Sequence, residues 1–171
     1  MNAMWKYTGK QRPSFAILPA DNQESVWDYP RPPALVEDTR HVRVMADGQI
    51  IARSDHALRL LETAAPPTLY LPVGDIDMDV LQVVAGQSSC EWKGIARYWA
   101  LNGQNQPVAW DYPKPSLAFE RILHYLAFYP GRVDCFIDAE AVKPQSSEFY
   151  GGWITREIVG PFKGEPGTSG W

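Results

Sequence analysis

Apolar and polar residues alternate through HVRVMADGQIIARS (41–54) on both sides of Asp47-Gly48. A period of two predicts strands, and Asp-Gly suits a two-residue type I′ turn because both central residues need positive φ. This stretch is a predicted hairpin. A second hairpin is legible in GIARYWALNGQNQPVAWDY (94–112), where Asn102-Gly103 separates runs carrying Tyr98, Trp99, Val108 and Trp110. PTLYLP (67–72), short, apolar and bounded by prolines, predicts a buried or edge strand. HALRLLET (56–63) fits a short helix or a buried strand, and its place directly after a hairpin favours the strand.

One stretch departs from this pattern. In KPSLAFERILHYLAFYPG the spacing of Leu117, Ile122, Tyr125 and Phe128 predicts one packed α-helix near 115–128, stopped by Pro130-Gly131. The fold class expected is therefore mainly β (α+β), a compact antiparallel domain with a single helix.

Outside that region the pattern fades. Residues 1–39 are Pro-rich, polar and aromatic without a period, which predicts an extended arm anchored by Trp5 and Trp27 on a core domain at 40–140. Residues 141–171 form a Gly/Trp-rich extension, expected to pack on the core through Trp153, Phe162 and Trp171. Within the arm VWDYPRPP (26–33) is echoed by AWDYPKPS (109–116). The likeness stops at those eight residues, since the sequences that follow suit a strand in one case and a helix in the other. The echo predicts one local geometry used twice, each Tyr held extended by its following proline.

Composition narrows the function classes. The chain has 171 residues and a net charge of -4, opposite to the basic footprint of nucleic-acid binding. No apolar run approaches the roughly 18 residues that span a bilayer, and the N-terminal apolar run is too short for a signal-peptide core. A soluble, cytoplasmic protein with neither nucleic-acid nor membrane partner is the expectation. Two cysteines, Cys90 and Cys135, give neither a disulfide scaffold nor a zinc spacing.

LLETAAPPTLYLPVGDIDMDVL, SSCEWKGIARYW, AWDYPKP and YLAFYPGRVD together resemble the domain-of-unknown-function 427 family over roughly residues 40–140. The resemblance implies a compact tent-like or barrel-like β structure related to the Mss4-like fold. The family name also carries a nucleotidyltransferase label. Such chemistry needs carboxylates to hold Mg²⁺ against a triphosphate beside a loop of phosphate-binding amides. Asp75, Asp77 and Asp79 of GDIDMD would share one face of a strand and are the weak metal candidates, more often a solvated face. GPFKGEPGTSGW is not a phosphate loop, because Lys163-Gly164 reverses the required order and no helix follows. No metal and no cofactor are expected outside the Mg²⁺-dependent alternative.

The stretch CEWKG (90–94) carries the strongest candidate. On a strand Cys90 and Trp92 share a face and Lys93 takes the other, unless Gly94 makes a bulge that turns the ammonium into a concave sheet. Lys93 would then hold a carboxylate or phosphate. Cys90 is a candidate nucleophile, with an inert buried thiol the favoured alternative. Glu62 is a candidate acid or base, and is structural if Lys93 or Arg97 pairs with it. Tyr98, Trp110 and Tyr112 are either the walls of a pocket or ordinary core. His41, His56 and His124 have no ligand spacing.

Two functions of different class follow. In one, a small polar or anionic molecule binds beside Lys93, with Tyr98, Trp110, Tyr112 and, from the arm, Trp27 as walls. In the other, the Pro/Trp-rich segments bind a partner protein or a second copy, giving a homodimer.

Overall fold

The computed structural model describes residues 4–171, so the first three residues of the arm lie outside the described residues. The strands in chain order are β1 (Glu24–Ser25), β2 (Ala34–Asp38), β3 (Val42–Ala46), β4 (Gln49–Ser54) and β5 (Ala57–Leu61). They continue as β6 (Thr68–Pro72), β7 (Leu81–Cys90), β8 (Gly94–Leu101), β9 (Ala109–Asp111) and β10 (Tyr125–Phe128). The last are β11 (Asp134–Ile137), β12 (Glu140–Ala141), β13 (Lys143–Pro144), β14 (Trp153–Ile154) and β15 (Ile158–Val159).

A seven-stranded antiparallel sheet runs in the order β2-β5-β6-β10-β9-β8-β7, and a four-stranded one in the order β12-β11-β3-β4. The large sheet stays open, with β2 and β7 at its edges, so the barrel-like closure is corrected. The hairpin at Asp47-Gly48 forms as expected, with φ of 51° and 77° at its two central residues. The strand reading of HALRLLET holds as β5, and PTLYLP becomes β6, an interior strand between β5 and β10. β8 and β9 do pair, but the loop from Asn102 to Val108 is longer than a tight turn and only three residues of β9 enter the ladder.

Side-chain alternation builds two cores on the two faces of the large sheet. Leu69 and Leu71 of β6, and Leu126 and Phe128 of β10, face the small sheet and pack on Val42, Val44, Cys135 and Ile137. Tyr70, Ala127 and Trp110 face the other way, with Leu58, Leu60, Tyr112 and Phe119. A sheet covered on both sides explains why the central strands read as nearly continuous apolar runs.

The expected α-helix is absent. Leu117–Ile122 is a short 3₁₀ segment broken at Phe119, and Tyr125–Phe128 is β10, in the middle of the sheet. Leu117 is 83% exposed whereas Ile122 is buried, so the supposed face is not a face. His124 has φ of 66°, which breaks any helix between them. A short apolar run satisfies either period, and here burial of both faces of YLAF decides for the strand.

The arm and the C-terminal segment meet. β1 pairs with β15 in parallel, and Trp27, fully buried, donates from Nε1 to the Pro161 carbonyl at 3.2 Å. Tyr7, Phe15 and Trp171 surround its indole, with ring centroids 5.2 Å or less from Trp27. Trp153 instead enters the core between the sheets and donates to the Phe128 carbonyl at 3.1 Å. Among the described residues no helix is long and apolar enough to cross a membrane.

Candidate functional site

CEWKG is a hairpin tip, and this corrects the strand assumed for it. Cys90 pairs with Gly94 across a three-residue turn of Glu91, Trp92 and Lys93, and Gly94 has φ of 115°. A side chain at residue 94 would be strained at that φ and would press on the Lys114 carbonyl. The tip is fastened from outside: Ser116 donates its amide to the Lys93 carbonyl at 3.0 Å and its hydroxyl to the Trp92 carbonyl at 2.6 Å. With the strand alternation gone, Cys90, Trp92 and Lys93 all turn inward together.

They enclose one wall of a cavity of about 240 Å³. Tyr70, Tyr98 and Trp110 of the sheet and Tyr112 just after β9 line its floor, and Glu62 its rim. Six of the residues singled out from sequence, Glu62, Cys90, Lys93, Tyr98, Trp110 and Tyr112, therefore converge. Trp27 does not: it lies in the separate aromatic cluster under the arm. Asp75, Asp77 and Asp79 do not share a strand face either, because two 3₁₀ turns carry them. Asp75 accepts from the Ser54 hydroxyl at 2.6 Å, and Asp77 caps the turn containing Asp79. Among the described residues no three His, Cys, Asp or Glu side chains gather as a metal site.

Lys93 is 7% exposed, and among the described residues no carboxylate forms an ion pair with it. Its Nζ lies 5.5 Å from the centroid of the Tyr112 ring. Burial acts to lower the Lys93 pKa, but Tyr112, Cys90 and Glu62 around it outweigh that, and the ammonium is held above its ordinary value. The cavity thus contains a buried lysine that no carboxylate among the described residues pairs with. Neither Lys93 nor Arg97 takes Glu62 as expected. Glu62 accepts from Trp92 Nε1 at 2.9 Å and faces Arg31 Nε at 3.8 Å, while Arg97 is bound to Asp111.

Several residues of the site were not anticipated. Trp5 from the arm and Gln145, Tyr150, Gly151 and Lys163 from the C-terminal segment close the opposite side. Arg31 stacks its guanidinium 4.1 Å from the Trp5 ring centroid and donates to the Tyr7 and Thr63 carbonyls. Gln145, itself buried, holds the amide of Gly152 at 3.0 Å and bonds to the Lys163 carbonyl, fixing both parts of the glycine-rich segment. Gly151 lies against Trp110, where a Cβ would overlap the indole. The Gly-Gly-Trp sequence was the one available signal, because adjacent glycines permit such close approach.

The arrangement defines a β-sheet protein with a small aromatic cavity and a buried cation. Residues 34–139 match the family model described as Domain of unknown function (DUF427), which also bears the label NTP_transf_9, and the chain belongs to that family. Comparison with curated proteins finds no match. The matched region supplies the Lys93 wall and the floor, whereas Trp5, Gln145, Tyr150, Gly151 and Lys163 lie outside it.

Proposed function

We propose that the protein binds a small anionic molecule in this cavity, with Lys93 as its charge partner and Trp110, Tyr112 and Tyr98 as walls. The observation that carries the reading is a buried ammonium with no carboxylate partner, since an unpaired buried charge is costly and is ordinarily paired. An anion entering the cavity supplies that partner. The aromatic floor favours a planar or partly apolar body, as small-molecule sites do. Glu62, fixed by Trp92 and Arg31, orients the rim, and Cys90 stands beside the ammonium. The tent-like, Mss4-like shape implied by the resemblance is compatible with a cup of this kind.

The nucleotidyltransferase reading is less favoured, because Asp75, Asp77 and Asp79 are outside the cavity and no phosphate loop borders it. Self-association is a second reading with one observation in its favour: β7, ten residues long, is an edge strand with free backbone groups. A solution mass of one chain at high concentration would remove it.

Thermal unfolding with acetate, benzoate, inorganic phosphate and Mg²⁺-nucleotide tests the binding reading. Ligand at 100 times its dissociation constant adds about 2.7 kcal/mol, which raises the midpoint by about 5–11 °C for a chain of this size. The expected result is a rise with one anion class that Lys93→Met abolishes. A rise that survives the substitution would put the ligand elsewhere.

A further inference from the structure

The cavity contains a second lysine, and its surroundings differ from those of the first. Lys163 is 9% exposed and no carboxylate among the described residues forms an ion pair with it. Its Nζ lies 5.0 Å from the Trp5 ring centroid and 5.5 Å from that of Tyr150, with one long hydrogen bond, 3.4 Å, to the Trp171 carbonyl. Arg31 stacks on the same Trp5 indole at 4.1 Å. Lys163 is therefore an amine among aromatic rings, beside another cation and facing the cavity.

We propose that Lys163 is a nucleophilic amine that condenses with the carbonyl carbon of a small aldehyde or keto acid whose anionic group rests on Lys93, forming an imine. The inference rests on the anion-binding reading of the same cavity. The neutral amine attacks the carbonyl carbon, an N–C bond forms, and the carbonyl oxygen leaves as water with both amine protons. No oxidant, reductant or metal enters the balance. A desolvated lysine next to a second cation is a recognised way to obtain a neutral amine near neutral pH.

Protonation supports the division of labour. Burial and the neighbouring Arg31 charge push the Lys163 pKa down, opposed by Glu62 and Glu91, whereas that of Lys93 is held up. Two groups of one kind driven in opposite directions within one cavity mark a pair with different roles. Lys93 keeps its charge for the anion, and Lys163 gives up its proton for chemistry. The small volume limits the substrate to a compact molecule, and the two lysines require one with a carbonyl and a separate anionic group.

Glyoxylate, the simplest anionic aldehyde, is the probe. The full-length protein is treated near neutral pH with limiting glyoxylate and cyanoborohydride, which fixes imines as secondary amines, and the modified lysines are located by peptide mass mapping. The expected result is labelling of Lys163 several-fold faster than the exposed Lys10, Lys114 and Lys143. Lys163→Arg keeps a long basic side chain without a primary amine and removes the label. Lys93→Met erases the preference for glyoxylate over uncharged glycolaldehyde while Lys163 still reacts with the latter. Labelling of Lys163 no faster than the surface lysines would overturn the imine. If anions still stabilise the fold through Lys93 in that case, the binding reading stands and Lys163 serves only as a second anion contact. Loss of both effects would remove both readings.

Discussion

The two Trp-Asp-Tyr-Pro stretches share four consecutive residues and almost nothing else. In the arm Val26–Asp28 is a 3₁₀ turn, capped by the Ser25 hydroxyl, which buries Trp27 completely and leaves Asp28 outside on Arg12. In the sheet Ala109–Asp111 is β9, with Trp110 on the cavity floor and Asp111 buried on Arg97 and Trp99. The tyrosines diverge as well: Tyr29 donates to Glu24 at 2.8 Å, whereas Tyr112 lies under the Lys93 ammonium. The expectation of one geometry used twice is therefore wrong. Four residues do not determine a conformation when one copy must close an aromatic cluster and the other must join a ladder between β8 and β10.

The sharpest test of that difference is a pair of alanine substitutions. Trp27→Ala is expected to cost about 3–5 kcal/mol in chemical denaturation, the range for deleting a buried tryptophan, without changing anion binding per folded molecule. Trp110→Ala falls toward the lower end of the same range, since its ring borders an existing cavity, and removes the ligand-induced stabilisation. Equal loss of binding in both variants would reunite the two copies.

A smaller contrast separates the aspartates. Asp111 receives Arg97 Nη2 at 2.7 Å, Arg97 Nε at 3.0 Å and Trp99 Nε1 at 3.0 Å. Asp111→Asn is expected to cost about 1.5–3 kcal/mol, the range for hydrogen bonds to a charged group. Asp28→Asn loses only a solvated pair with Arg12, and denaturation should not distinguish it from wild type.

Acid provides the gentlest probe. Burial raises the Glu24 pKa, but the bonds from Arg59 and Tyr29 outweigh it and hold the carboxyl below its ordinary 4.5. Asp38 is likewise held below its ordinary 3.8, where Arg40 and Arg59 overcome the effect of burial. Both contributions are complete above those ordinary values and disappear as pH falls through the lower folded ones. Hydrogen exchange around Tyr29 should therefore accelerate at acid pH before exchange in β9 does. Simultaneous loosening of both regions would mean that Glu24 and Asp38 do not hold the arm by themselves.

Much of the sheet was legible because its signals are local. Asp47-Gly48 names its own turn, and the alternation in 41–54 names its strands. YLAF was not legible, since four apolar residues fit two periods and only partners distant in sequence, β6 and β9, choose between them. The site divides in the same way. Lys93 could be found because its glycine neighbour promised a break in the alternation, although the break is a turn rather than a bulge. Lys163 was weighed only as part of a phosphate loop, and the contacts that matter, to Trp5 and Tyr150, come from 158 and 13 residues away along the chain.

That last separation governs when the cavity comes into being. Its walls are contributed by Trp5, Lys93, Tyr112 and Lys163, so closing it requires pairings among the most distant in sequence, which a folding chain reaches late. Until Trp5, Gln145, Tyr150 and Lys163 are in place, Lys93 faces water across an unfinished cup. Occupancy of the cavity is thus a report that the final contacts have been made, and a ligand that waits for them acts on the last step of folding.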